Sequence, residues 1–95
     1  MTDGERVERD VEIVNRAGMH ARPAAEFVKL AGRFRSEITV AKGGLSVNAK
    51  SIMGVLMLAA EQGSQLRVSA RGEDAADAVR ALTYLVSTGF DEVEV

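Results

Sequence analysis

The sequence predicts an α+β domain of two layers, in which helices cover one face of a single β-sheet. Four short segments alternate apolar and polar residues, which is the pattern of strands that bury one face. Two longer segments carry apolar residues at i, i+3, i+4 and i+7, the stripe of an amphipathic helix, and a short apolar segment lies between them. The order of elements is β-α-β-β-α-β-α. Because each strand has one apolar face and each helix one apolar stripe, a single sheet covered by helices on one side buries them all, which gives two layers.

The composition is that of one small globular domain spanning all 95 residues, with 46% hydrophobic and 27% charged residues. A net charge of −2 gives no electrostatic reason to expect nucleic-acid binding. The absence of cysteine excludes disulfides, and with only one histidine it argues against a metal site. The start of the chain lacks an apolar signal region, and the longest apolar run is too short to cross a bilayer. We therefore expect a cytoplasmic domain without a cofactor or direct membrane insertion.

The first third of the chain predicts a loose end, a strand and a helix. Residues 1–6 are polar and patternless, which favours an N-terminal extension outside the fold. The first strand is expected over residues 7–15, with Val11 and Ile13 facing the core. The first helix is expected over residues 21–33. Its apolar stripe consists of Ala24, Phe27, Val28 and Ala31.

The middle of the chain predicts a hairpin and a short helix. A second strand over residues 36–41 and a third that begins at Leu45 flank the turn signal at residues 42–44. The short helix is expected from residue 50 to residue 58. The residues expected to face the core are Ile38, Val40, Leu45 and Val47 in the strands and Val55, Leu58 and Ala59 in the helix.

The last third predicts a strand over residues 65–71 and a helix that follows residues 72–74. The strand alternates apolar and polar side chains, and Gly89 marks the end of the helix. The residues expected to be buried are Leu66, Val68 and Ala70 in the strand and Ala75, Ala78, Val79, Leu82 and Val86 in the helix.

One segment at the junction of the first strand and the first helix has the residues for phosphoryl chemistry. It contains the only histidine and the only proline, in the run Gly18-Met19-His20-Ala21-Arg22-Pro23. Pro23 suits the first helical position, which places His20 just before the helix and next to its unpaired N–H groups. Such a terminus attracts anions. A lone histidine also occurs often as a capping or partly buried residue, and the pattern alone leaves that alternative open.

The side chains of this segment divide the chemistry between them. A neutral imidazole is a nucleophile, so His20 is the candidate acceptor of a phosphoryl group. The guanidinium of Arg22 and the amides near Ala21 and Arg22 are the candidate phosphate-binding groups. No carboxylate adjoins His20 in the sequence, and a neutral ring that attacks directly needs none.

Two motifs in this chain are similar to those of the HPr family, the histidine phosphocarriers of the bacterial phosphotransferase system. Residues 15–25 resemble the family's active-site signature, and residues 50–55 resemble its serine site, with the resemblance extending from Val11 to Val86. It implies an open-faced β-sandwich, in which three helices cover one face of a four-stranded antiparallel sheet. It also implies that phosphorylated enzyme I phosphorylates Nδ1 of His20, which then donates to transporter A-domains. The carrier is then a phosphorylated intermediate rather than a stand-alone enzyme.

Ser51 has two interpretations that can hold together. Serine is a preferred N-cap, which suits the start of the short helix. The resemblance also implies a regulatory phosphorylation site, because an ATP-dependent HPr serine kinase/phosphorylase modifies the matching serine in the Gram-positive branch. A phosphate at this position would add negative charge beside any docking surface.

The short helix carries more apolar residues than one buried face can use. Either it is buried on several sides, or it exposes a docking patch whose methionines adapt to several partners. The resemblance implies that enzyme I, transporter domains and the serine kinase dock here. The residues expected to contact partners are Met19, Ile52, Met53 and Leu56, with Lys29 and Lys50 as a basic rim that steers acidic partners.

Three other functions remain as alternatives, and a monomer is expected for each. The tail at residues 87–92 resembles the nitrogen-related branch, whose carriers pass phosphate to regulatory targets. A docking module of the same fold would use Ser51 as its switch and would not need His20. A phosphohydrolase is disfavoured because the sequence offers no metal cluster or second catalytic group.

Overall fold

The computed structural model describes residues 5–91, which form a four-stranded antiparallel sheet with three helices on one face. The elements are β1 (Glu5–Glu12), α1 (Ala21–Ala31), β2 (Glu37–Lys42), β3 (Leu45–Asn48), α2 (Ile52–Met57), β4 (Gln65–Gly72) and α3 (Ala75–Ser87), followed by a turn at Gly89–Asp91. The predicted α+β class, the order of elements and the open-faced β-sandwich are therefore confirmed.

The sheet has the strand order β1-β4-β2-β3, so the first strand lies beside the last. Val7 pairs with Ala70 of β4, and Ile38 of β2 pairs with the same residue from the other side. The chain leaving β1 therefore runs beside the chain entering β4. Main-chain bonds join these two segments, from Ile13 N to Ser64 O at 2.9 Å and from Gly63 N to Ile13 O at 2.7 Å. This pairing holds the loop that leads to His20 against the segment after α2.

The core lies between the helical layer and the inward face of the sheet. The alternating residues of β4 and the predicted stripe of α3 are buried, because both patterns place every apolar side chain on the same side. Val11, Val28 and Val47 are only partly buried. The buried residues predicted from sequence and confirmed are Ile13, Ala24, Phe27, Ala31, Ile38, Val40, Val55, Leu58, Leu66, Val68, Ala70, Ala75, Ala78, Val79, Leu82 and Val86.

The start of the first strand differs from the prediction. Glu5 and Arg6 belong to β1, where Glu5 pairs with Gly72, whereas the sequence placed both in a loose extension. Backbone pairing along the full length of β4 extends the strand without requiring an apolar pattern. The strand also ends at Glu12 instead of residue 15, and residues 1–4 of the predicted extension lie outside the described part of the chain.

Two predicted core residues are exposed. Leu45 is 43% exposed because it is the first residue of a four-residue edge strand, beside the hairpin turn. Ala59 is exposed because α2 ends at Met57 and the chain then turns, with Ala59 at φ +49. The helices α1 and α2 are therefore shorter than predicted.

Candidate active site

His20 is the N-cap residue of α1, with extended backbone angles and an exposed side chain. Its carbonyl accepts the first helical hydrogen bond, from Ala24 N at 2.9 Å. The imidazole makes no capping hydrogen bond to the helix, so His20 caps α1 through its backbone alone. The partly buried alternative for this histidine is wrong, because its side chain is exposed. The sequence predicted Pro23 as the first helical residue, whereas it is the third residue of α1 in the structure. The shift costs nothing, because none of the first N–H groups has an acceptor within the helix.

His20 and Arg22 line one open cleft of about 590 Å³. Within residues 5–91 the exposed guanidinium of Arg22 forms no ion pair or hydrogen bond, so its donors are available to an anion. The amides of Ala21 and Arg22 lie in the first turn of α1, where no helical carbonyl accepts from them. The first turn has no acidic residue that would occupy its positive end.

Two carboxylates that the sequence analysis missed also line this cleft. They belong to Glu26, one turn after Arg22 in α1, and to Asp91 in the turn after α3. Glu26 could have been found from the helical spacing, but Asp91 reaches the cleft only through the tertiary fold. Both carboxylates oppose a bound phosphate dianion, so the cleft combines attraction with repulsion.

The turn that supplies Asp91 is unusual in its backbone. Gly89, Phe90 and Asp91 all have positive φ values, of +70, +59 and +57. Gly89 ends α3 as predicted, whereas a left-handed conformation is rare for a bulky residue such as Phe90. Phe90 is 3% exposed, and burial of its ring holds the turn against the cleft.

The segment before His20 is fixed by three hydrogen bonds, one from a side chain and two between main-chain groups. Asn15 Nδ2 donates to the Gly18 carbonyl at 2.8 Å, and Gly18 N donates to the Asn15 carbonyl at 3.2 Å. Met19 N donates to Ala60 O at 2.8 Å. Gly18 has φ +72, and a Cβ atom there would lie 2.5 Å from Ala60 O. The predicted tight approach at Gly18 is confirmed, and it places the loop directly on the chain after α2.

Met19 is not part of an exposed docking surface. Its side chain is only 4% exposed and belongs to the hydrophobic core, which corrects its predicted role as a partner contact. Extended backbone at His20 places successive side chains on opposite sides. The same geometry that exposes the imidazole therefore buries Met19.

The α2 helix exposes apolar side chains from its first residue to its last. Ile52, Met53 and Met57 are 38%, 67% and 66% exposed, while Leu56 is partly buried against the core. We call Ile52, Met53 and Met57 the α2 surface. The alternative of an α2 helix that is buried on several sides is therefore wrong.

Ser51 is the N-cap of α2, as the sequence predicted. Its Oγ accepts a hydrogen bond from Gly54 N at 3.1 Å, and its backbone is extended. The side chain is partly exposed, so the cap does not seal the hydroxyl inside the protein.

The lysines near the site differ in how they are held. Lys29 is exposed on α1, in agreement with a basic rim. Lys50 is partly buried, and its ammonium donates to Phe34 O at 2.7 Å, beyond the end of α1. This hydrogen bond fixes the position of the ammonium group but leaves its positive charge in place, so the role of Lys50 in a basic rim stays a prediction. Lys42 was not identified from sequence, although its ammonium donates to the last carbonyls of the α2 region.

Within residues 5–91 no three His, Cys, Asp or Glu side chains are grouped to hold a metal ion. Among the same residues, no helix has the length and the apolar composition needed to cross a bilayer.

Comparison with known proteins identifies the family. A family model described as the PTS HPr component phosphorylation site matches residues 7–88. The phosphocarrier protein HPr of Neisseria meningitidis serogroup A is 43% identical over 88 residues, which are 93% of this chain and 99% of that protein. The crystal structure of HPr-C-His from Thermoanaerobacter tengcongensis matches with a TM-score of 0.88 and 45% identity, covering 93% of this chain and 99% of that one. A crystal structure of an HPr dimer from the same organism matches with a TM-score of 0.73 and 48% identity, covering 86% and 94%.

The family model covers most of this chain, from residue 7 to residue 88, and the relative from Neisseria aligns along nearly its whole length. The chain therefore belongs to the HPr family, the phosphocarriers of the phosphotransferase system.

Proposed function

We propose that His20 accepts a phosphoryl group on Nδ1 from phosphorylated enzyme I and donates it to transporter A-domains. One observation carries the proposal: the exposed imidazole of His20 and the uncommitted guanidinium of Arg22 line the same cleft at a helix N-terminus. An acceptor that must reach two different partners has to be open to both. The proposed carrier acts as a cytoplasmic intermediate whose chemistry its partners complete.

The transfer step balances without a further reactant. The neutral ring nitrogen of His20 attacks phosphorus, and an N–P bond forms while the bond to the donor's leaving group breaks. The leaving group departs with the bonding electron pair, and donation is the reverse exchange with an acceptor. A loose transition state spreads charge over three phosphoryl oxygens. The Arg22 guanidinium and the amides of Ala21 and Arg22 are the groups of this chain placed to stabilise that charge.

The cleft suits a group that is held briefly. An exposed dipole or charge contact at a helix terminus contributes roughly 0.3–1 kcal/mol. The carboxylates of Glu26 and Asp91 oppose the bound dianion from the same cleft. A site with one arginine and two carboxylates therefore stabilises the phosphorylated form only weakly, which favours onward transfer.

Partners are proposed to dock on the α2 surface, with Lys29 as part of a basic rim. The exposed methionines of α2 adapt to surfaces of different shape, which suits one carrier with several partners. Ser51 lies at the edge of this surface and is partly exposed. Phosphorylation of Ser51 by a serine kinase would add about two negative charges there and oppose the docking of acidic partners.

The proposal is tested by incubating the protein with enzyme I and phosphoenolpyruvate and measuring acid-labile, alkali-stable phosphate. The native chain is expected to acquire one such group, and the His20→Ala variant none. Incorporation in His20→Ala at the native rate would refute the proposed acceptor. Regulatory activity that persists in His20→Ala would instead favour the docking module. Transfer to nitrogen-regulatory targets but not to sugar A-domains would assign the chain to the nitrogen-related branch.

We also propose that the carrier functions as a monomer, because β1 pairs with β4 of its own chain along its whole length. Relatives of the same fold include an HPr dimer, so the oligomeric state needs its own measurement. Sedimentation equilibrium across a concentration series is expected to give the monomer mass, and a dimer at working concentration would contradict this proposal.

A further inference from the structure

Lys42 connects the end of β2 to the turn that follows α2. Its ammonium donates to Leu58 O at 3.2 Å and to Ala59 O at 3.1 Å. Leu58 is the C-cap residue of α2, so these carbonyls lie at the negative end of that helix. A lysine that binds the last carbonyls of a helix satisfies groups that lack helical donors.

The turn that Lys42 holds is itself strained. Ala59 has φ +49, a left-handed conformation that is unfavourable for a residue with a Cβ atom. Contacts from outside the turn must therefore maintain this conformation. The ammonium of Lys42 provides two of them, from a strand far away in the sequence.

The next residue of the same turn contacts the loop that carries His20. The Ala60 carbonyl accepts from Met19 N at 2.8 Å, immediately before His20. Gly18 lies against the same carbonyl, so closely that no Cβ atom would fit. The Lys42 contacts and the Met19 contact are thus joined through three consecutive residues of the strained turn, 58–60.

We propose that Lys42 is a positioning residue for His20. It touches none of the reacting atoms. It fixes the conformation of residues 58–60. The Ala60 carbonyl then fixes the position of the Met19 backbone, and with it the position of His20 at the start of α1. This inference rests on the proposed phosphorylation of His20, because position matters only if the ring reacts.

The test compares Lys42→Met, which keeps an unbranched stem but removes the donors, with Lys42→Arg, which keeps a cation that donates. The rate of phosphorylation by enzyme I and phosphoenolpyruvate is measured over a range of carrier concentrations. Small displacements of reacting groups lower kcat more than they change KM, and we expect kcat to fall about three- to tenfold in Lys42→Met with KM within about twofold. Lys42→Arg is expected to recover most of the loss.

A second measurement is independent of enzyme I. In an amide NMR spectrum of Lys42→Met, the resonance of Met19 is expected to move and its hydrogen exchange to become faster. Asp74→Asn is the matched control, because Asp74 accepts bonds from Arg35 and Ser36 at a contact unrelated to the His20 loop. That variant is expected to lose stability while the Met19 resonance and kcat stay at the native values.

The outcomes separate the two proposals. If Lys42→Met keeps the native kcat and the native Met19 resonance, the positioning role is wrong. The same conclusion follows if Asp74→Asn lowers kcat as much, because general destabilisation would then explain both. If the native chain accepts no phosphate, the proposed function fails, and an unmoved Met19 resonance in Lys42→Met would overturn the structural link as well.

Discussion

Replacing Gly18 by alanine tests how tightly the loop before His20 is held. At φ +72 an added Cβ would lie 2.5 Å from Ala60 O and 2.9 Å from the Cα atom of Glu61, and both of these atoms belong to backbone. Neither atom can move away as a flexible side chain would. The loop and the turn after α2 must therefore separate, and the bond from Met19 N to Ala60 O must lengthen or break.

The expected cost has two parts. A left-handed conformation costs alanine about 1–2 kcal/mol, and overfilling a tight contact typically costs about 1–3 kcal/mol. Gly18→Ala is therefore expected to lower the free energy of unfolding by about 2–5 kcal/mol. Gly43 provides the matched control, because it has φ +58 and its added Cβ would meet nothing within 4 Å. Gly43→Ala should show the conformational part alone.

Urea unfolding of the two variants, followed by circular dichroism, measures both costs under the same conditions. The difference between the losses of unfolding free energy in the two variants gives the steric cost of the added Cβ atom. Phosphorylation should be slower in Gly18→Ala but not in Gly43→Ala. Equal losses of stability in both variants would refute the close approach. A destabilised Gly18→Ala that is phosphorylated at the native rate would show that the loop does not position His20.

Three further predictions concern the cleft, the α2 cap and the contact at Asp74. Arg22→Ala should lower the rate of phosphorylation about ten- to hundredfold by removing one stabilising charge, with Arg22→Lys intermediate because it lacks the planar fork; equal rates in stopped-flow assays would contradict this. Ser51→Ala should lower the free energy of unfolding by about 1 kcal/mol through loss of the bond from Gly54 N, as measured by thermal unfolding. The Ser36 hydroxyl and the Arg35 amide lower the pKa of the Asp74 carboxyl below its ordinary value. The ionised form therefore stabilises the fold above the pKa of the unfolded chain, and this contribution is lost as the pH falls through the lower folded value, at and below about pH 4. Asp74→Asn should show a flatter loss of stability there, and an identical acid limb would contradict the assignment.

The elements that the sequence predicted well are those whose patterns are local. Leu66, Val68 and Ala70 alternate along β4, and such alternation is enough to define the buried face of a strand. His20 and Arg22 could also be identified from the sequence, because a proline and a change from strand to helix periodicity mark the start of α1. These features depend on neighbours within one element.

The errors and omissions involve contacts between distant parts of the chain. Met19 was misplaced because its direction depends on the backbone angles of a junction, where neither period applies. The carbonyls that bind Lys42 and Lys50 lie 16 or 17 residues away in sequence, and no pattern in the sequence records which lysine reaches them. Asp91 lines the cleft only because the buried Phe90 turns the chain after α3 back towards α1.

The charges around His20 explain why its backbone is held by contacts outside the cleft, since the cleft itself binds a phosphoryl group only weakly. The cleft offers one guanidinium and a helix terminus, and the carboxylates of Glu26 and Asp91 counter them. On the proposed function, such a site gains little by binding a phosphoryl group, and the rate of transfer must come from geometry that exists before the proposed partner arrives. The buried Met19 side chain, the contact of Gly18 with Ala60 O and the cation at the end of α2 supply that geometry from outside the cleft. Position and affinity are thereby set by different residues, so the ring can be held in place without the phosphate being held tightly.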